Sequence, residues 1–255
     1  KYAAFDGLNL TLETLEGLVK HNGPIAGTAA PAQPILLEAI RARGLEASLA
    51  LDRHASAEAQ AAAVADDIAY SNHDIDDGLR AGLLTLDDLD GVPLAGPFAA
   101  AAKARPMPDR ARMIYEINRN MITALIGDVV AEARRRLAAG SIGSHDAVRD
   151  AGAPVVTFSA GMQRDLAALK SFLFARVYRH ARVMRVMEGA ETIVGDLYRR
   201  YIATLSCLPA QWADHAAAAA PHLRARMIGD FVAGMTDRFA IAEHRRLFDA
   251  TPDLR

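Results

Sequence analysis

Residues 65–82 read Ala-Asp-Asp-Ile-Ala-Tyr-Ser-Asn-His-Asp-Ile-Asp-Asp-Gly-Leu-Arg-Ala-Gly, the densest run of titratable side chains in the chain. Asp66, Tyr70, Asp74 and Asp77 recur at steps of four, four and three, so on a helix they share one face. Val64, Ile68, Ile75 and Leu79 form a second, apolar face, with Ala61, Ala62, Ala65 and Ala69 between the two. Carboxylates in such a row can hold a cation and, with a phenol, a bound substrate. They can equally be a solvated acidic stripe, which is the common fate of charged residues. Small flanking residues let neighbouring helices approach, so this helix is expected to be packed on more than one side. A carboxylate buried there needs a cation or several donors to remain charged.

The surrounding elements read as helices. Residues 10–20 carry an apolar stripe of Leu12, Leu15, Leu18 and Val19, with Asn9 or Thr11 as the cap. Residues 21–34 hold Gly23, Pro24, Gly27, Pro31 and Pro34 and form a loop. A short helix is expected over 35–43, and a long one over 57–80 capped by Ser56, with an Ala-rich front that favours it strongly. Thr85 followed by Leu86, Asp87 and Asp88 resembles a capping box. Four prolines interrupt residues 91–108, leaving room for a turn or two of helix.

Met113, Ile117, Met121, Leu125 and Val129 recur every four residues and predict one long helix over 109–139. A Gly-rich connection over 140–159 contains Val155 to Phe158, the single strand-like run. Residues 165–208 read as helix broken near Gly189, and 222–248 as the last helical block. The fold class is therefore all-α, with one division expected between residues 1–139 and 140–255.

Composition narrows the function. The chain has 255 residues, 51% of them hydrophobic and 24% charged, enough to bury a core. A net charge of −2 gives no general attraction to polyanions. Cys207, the single cysteine, excludes an internal disulfide and fits a reducing cytoplasm. No apolar run approaches the roughly 20 residues of a membrane span, and nothing reads as a signal peptide.

Several segments agree, in order, with one family. They are residues 5–11 (Phe-Asp-Gly-Leu-Asn-Leu-Thr), 14–24 (Thr-Leu-Glu-Gly-Leu-Val-Lys-His-Asn-Gly-Pro), the 65–82 stretch, 172–174 (Phe-Leu-Phe), 177–180 (Val-Tyr-Arg-His) and 233–239 (Ala-Gly-Met-Thr-Asp-Arg-Phe). Together they resemble the deoxyguanosine triphosphate triphosphohydrolase-like branch of the HD-domain phosphohydrolases. The resemblance implies an HD-type helical bundle with a C-terminal helical subdomain. It implies hydrolysis of a deoxynucleoside triphosphate to deoxynucleoside and inorganic triphosphate, and a homo-oligomeric assembly.

It also implies a divalent metal (Mn, Mg, Fe, Co or Ni) held by a His, a later His-Asp pair and a distant Asp, ligands suited to such ions. Asp66 would be that distant Asp. Tyr70 would lie against the deoxyribose, and Asp74 would accept a hydrogen bond from its 3′-hydroxyl. Lys20 would contact the triphosphate or, on the other reading, offset the helix C-terminal dipole. His21 is expected to be a satisfied surface imidazole.

The first His and the His-Asp pair of the pattern would precede Lys1, together with the catalytic residues. The chain is therefore expected to be a fragment that alone binds no stoichiometric metal. His73-Asp74, preceded by His54, and His145-Asp146 read as chance doublets. A non-catalytic nucleotide-binding or scaffold module is the alternative. Arg176, Arg179, Arg182 and Arg185, with His180, form a basic stripe open to two readings: phosphates of an effector nucleotide, the substrate or nucleic acid, or a solvated or subunit-facing surface. Met227, Phe231, Met235 and Phe239, four apart, read as core or subunit interface.

Overall fold

A computed structural model describes residues 3–4, 7–27, 34–105 and 109–252. Phe5 and Asp6 of the family-like opening segment lie outside the described residues. Among those described there are twelve α-helices and no strand, so the fold is all-α. Chain contacts divide it into two compact units, Lys1–Phe174 and Ala175–Arg255.

In the first unit, α1 (Leu12–Val19) is capped by Thr11, whose hydroxyl accepts from the Thr14 N–H. Then follow α2 (Pro34–Ala42), α3 (Glu46–Leu49) and α4 (Ala57–Arg80). Ser56 caps α4 through the Ala59 N–H, as its sequence predicts. Thr85 and Asp88 form the reciprocal capping pair, at 2.8 and 3.2 Å, around a single 3₁₀ turn, Asp87–Leu89. The core lies where α4, α5 (Ala95–Lys103) and α6 (Arg110–Ala139) meet. Ile75, Leu79, Leu84, Leu89, Ala95, Ala99, Ile117, Met121 and Leu125 are wholly buried. Each of the larger side chains contributes about 1.5–3 kcal/mol by leaving water.

Helix α7 (His145–Arg149) and α8 (Ala160–Leu173) complete this unit, so residues 140–174 pack with the segment before them. The strand-like run at Val155 to Phe158 has no neighbouring strand. The Val155 and Val156 N–H groups instead donate to the Gln60 side-chain oxygen at 2.8 and 3.0 Å.

The second unit holds α9 (Ala181–Ala203), α10 (Ala210–Ala218), α11 (Pro221–Ala233) and α12 (Asp237–Leu247) around Ile193, Leu197, Tyr201, Leu208, Ala216, Ile228 and Val232. The helix expected over 165–208 breaks at a π-helical turn, Phe174–Tyr178, and at His180, which caps α9. It does not break at Gly189, which sits inside α9. A glycine costs an α-helix only about 1 kcal/mol, which the rest of a long helix offsets. The final block is two helices, because Thr236 caps a new one two residues after Gly234.

Candidate functional site

Helix α4 carries the candidate residues, and its two sides differ. Ile68, Ser71, Asn72, Ile75, Gly78 and Leu79 are buried against the core. Asp66 and Tyr70 are exposed and Asp74 is half-buried on the other side, as the spacing predicts. Ala61, Ala62, Ala65 and Ala69 are exposed. The expected packing of α4 on more than one side is seen, against α1, α6 and α8, although these alanines stay open. At its front the approach to α1 is close: a Cβ on Gly17 would come within 3.0 Å of the Ala59 methyl. A side chain at Gly17 would require a shift of a few tenths of an ångström at Ala59.

Asp66 opens on two cavities. The larger, about 740 Å³, is lined by Glu13, Gly17, Leu18, His21, Ser56, Glu58, Ala59, His145 and Arg149 among others. The smaller, about 380 Å³, is lined by Lys20, His21, His54, Gln60, Asp67, Pro154, Val156 and Thr157 among others. Lys20 and Asp66 thus share a cavity. Tyr70 and Asp74, one and two turns further along α4, line neither. The described chain does not by itself close one cleft around Asp66, Tyr70 and Asp74.

Lys20 is not a free cation at a loop. Its side chain is fully buried, and Nζ lies 2.7 Å from Glu16 Oε1. Its remaining protons are donated to the Ala50 and His54 carbonyls at 3.1 and 3.2 Å. An ammonium has three protons, so all are engaged, and contact with a phosphate would require one of these bonds to be exchanged. Glu16 also receives Arg149, with Nε at 3.0 Å and Nη2 at 2.7 Å. Burial pulls the Glu16 carboxyl upward, but hydrogen bonds from Arg149 and Lys20 outweigh it and hold the group below 4.5.

His21 is satisfied locally. Nδ1 lies 2.8 Å from the Leu18 carbonyl and so carries the proton, and Nε2 accepts from the Asn22 amide at 2.9 Å. His145 and Asp146 are both exposed, 3.5 Å apart.

As for a metal, Asp66 offers one hard oxygen donor, but no group of three or more His, Cys, Asp or Glu among the described residues could hold an ion. The four arginines of the basic stripe are all exposed, but the stripe is not one helix face. Arg176 and Arg179 precede the cap at His180, whereas Arg182 and Arg185 lie in α9.

Sequence reasoning did not find Arg149. Its carboxylate partner lies 133 residues away, and no local pattern links them. The i,i+4 spacing of Glu16 and Lys20 was the one available signal.

A model of a phosphohydrolase-associated domain matches residues 156–246. Over its whole length the chain is 50% identical to "deoxyguanosinetriphosphate triphosphohydrolase-like protein 1" of Mesorhizobium japonicum, covering 63% of that protein. It is 51% identical to a deoxyguanosinetriphosphate triphosphohydrolase-like protein of a Bradyrhizobium species, covering 64%. It is 48% identical to the one of Azorhizobium caulinodans, covering 65%. The chain thus spans somewhat under two thirds of the length of these relatives.

Proposed function

Because this chain belongs, by homology along all of its length, with the deoxyguanosinetriphosphate triphosphohydrolase-like proteins, we propose that it forms the greater part of a dNTP triphosphohydrolase. The reaction would convert a deoxynucleoside triphosphate to deoxynucleoside and inorganic triphosphate. The observation that supports this most is the side of α4 turned away from the core. It bears Asp66 at the mouth of two cavities, with Tyr70 and Asp74 on successive turns.

On this reading Asp66 is one ligand of a divalent metal (Mn, Mg, Fe, Co or Ni), whose chemistry when bound is to activate water and screen phosphate charge. The other ligands come from outside the described residues. Tyr70 stacks on the deoxyribose, where a 2′-hydroxyl would crowd its ring, and Asp74 accepts from the 3′-hydroxyl. Lys20 acts from within its buried network. The working protein is a homo-oligomer of the cytoplasm. Among the described residues no helix is long and apolar enough to cross a membrane.

The test uses the full-length protein containing this chain. With Mn or Mg and a dNTP it should release inorganic triphosphate, and Asp66→Ala should abolish release. Unchanged turnover in that variant removes Asp66 from the mechanism. Nucleotide binding without any release in the unaltered protein would identify the alternative, a non-catalytic nucleotide-binding or scaffold module.

A further inference from the structure

The walls of both cavities at Asp66 come from three pieces far apart in sequence: α1 with the loop after it, the segment 54–67 that runs into α4, and the segment 145–157. One carboxylate ties them together. Glu16 holds Lys20 at 2.7 Å and Arg149 at 2.7 Å, with 6% of its side chain exposed against 0% and 12% for the two cations. Lys20 passes the link on to the Ala50 and His54 carbonyls. Arg149 passes it on through its own carbonyl, which accepts from the His54 N–H at 3.3 Å.

Two further side chains link the same pieces. Arg53 pairs with Asp150 at 2.6 Å, and Gln60 accepts from Val155 and Val156. Glu16 joins the first piece to the third directly, through Arg149, and to the second through Lys20. Lys20 is the C-cap residue of α1, four residues on, and Arg149 comes from α7. The front of α4, which begins at Ala57, is gripped between them, and Asp66 lies less than three turns further on.

We propose that Glu16 is a positioning residue for the Asp66 site, setting through Lys20 and Arg149 the cavity walls against which the triphosphate end of a nucleotide is held. The inference rests on the reading of Asp66 as part of a nucleotide site. It gives Lys20 an indirect role: the ammonium stays with Glu16 and the two carbonyls and shapes the wall rather than meeting the phosphate. The rival is direct contact, in which Lys20 leaves Glu16 for the substrate. The two differ in what Glu16 does. As a positioning group it is needed, whereas as a competitor for Lys20 it is a hindrance.

The experiment compares Glu16→Gln, Lys20→Met and the double variant in the full-length protein. Positioning predicts that each single change lowers kcat between about ten- and a hundredfold, the scale of a misplaced reacting geometry. KM for the dNTP should stay within about threefold, and the double variant should be no worse than the worse single, as for groups acting as one unit. Hydrogen–deuterium exchange of residues 50–56 and 149–157 should quicken in Glu16→Gln while α6 stays unchanged.

A Lys20→Met variant with raised KM and normal kcat, beside a Glu16→Gln variant with normal or lower KM, overturns the proposal. So does an unchanged exchange pattern. If the unaltered full-length protein releases no triphosphate, the proposed function fails separately, and the exchange pattern alone then decides whether Glu16 sets these walls. Should Glu16→Gln not fold, Glu16→Asp, which keeps the charge and shortens the reach, replaces it under the same criteria.

Discussion

Glu16 and Glu243 are both nearly buried carboxylates that hold an arginine, yet their surroundings differ. Glu16 binds Lys20 and Arg149 beside two cavities. Glu243 binds Arg246 on the next turn of α12 and accepts from the Tyr201 hydroxyl at 2.6 Å. Tyr201 is wholly buried in the apolar core of the second unit, edge-on to Phe231 with ring centroids 5.5 Å apart. Burial and the Glu243 carboxylate together push the Tyr201 phenol well above its usual range, so it stays neutral and donates.

A carboxylate of the second kind satisfies a polar atom that packing has buried. The first kind spans sequence-distant segments and leaves open space beside them. The same charge–charge chemistry therefore marks core completion in one unit and a framed cavity in the other.

The comparison can be broken by mutation. The largest stability effect should come from Arg149→Met, which leaves Glu16 with a buried charge short of one partner. A loss of about 3–5 kcal/mol is expected, read from the denaturant midpoint. Tyr201→Phe removes one hydrogen bond to a charged group without opening a cavity, so about 1.5–3 kcal/mol is expected, with dNTP hydrolysis at saturating substrate unaltered. A smaller loss for Arg149→Met than for Tyr201→Phe would reverse the order argued here.

The pH dependence sharpens the same point. The folded-state value of Glu16 lies below 4.5, so its contribution is complete above about pH 4.5 and fades as pH falls through the lower folded value. The stability gap between the unaltered protein and Glu16→Gln should therefore be widest near neutral pH and close in acid. A gap that widens in acid would contradict the assignment. The smallest effect belongs to Arg41→Ala. Its pairing with Glu46 at 3.1 Å joins side chains 60% and 50% exposed, and a change under about 0.5 kcal/mol is expected in thermal melts.

Much of the fold was legible because its signals are local. Ser56 caps α4 through the N–H three residues on, and the apolar period of four in α6 needs no distant partner. The break between α8 and α9 was not legible. Gly189 looked like a breaker by type, whereas the α-helical pattern gives way to a π-helical turn at Phe174–Tyr178, which contains no glycine or proline. Helices α3 and α10 were missed: α3 has four residues, too few for a period, and α10 is mostly alanine, which gives little apolar–polar contrast.

At the candidate site the division is similar. That Asp66, Tyr70 and Asp74 share one side of a helix follows from 3.6 residues per turn and was fixed by the sequence alone. The state of Lys20 was not. Its three bonds reach a carboxylate one turn back and carbonyls 30 and 34 residues on, and its carboxylate is shared with an arginine 133 residues away. Helical spacing is a property of the backbone, which any window of sequence contains. Which cation a buried carboxylate keeps is decided only when folding brings distant segments within hydrogen-bond range, and that is where the tertiary structure overrules the look of a loop lysine.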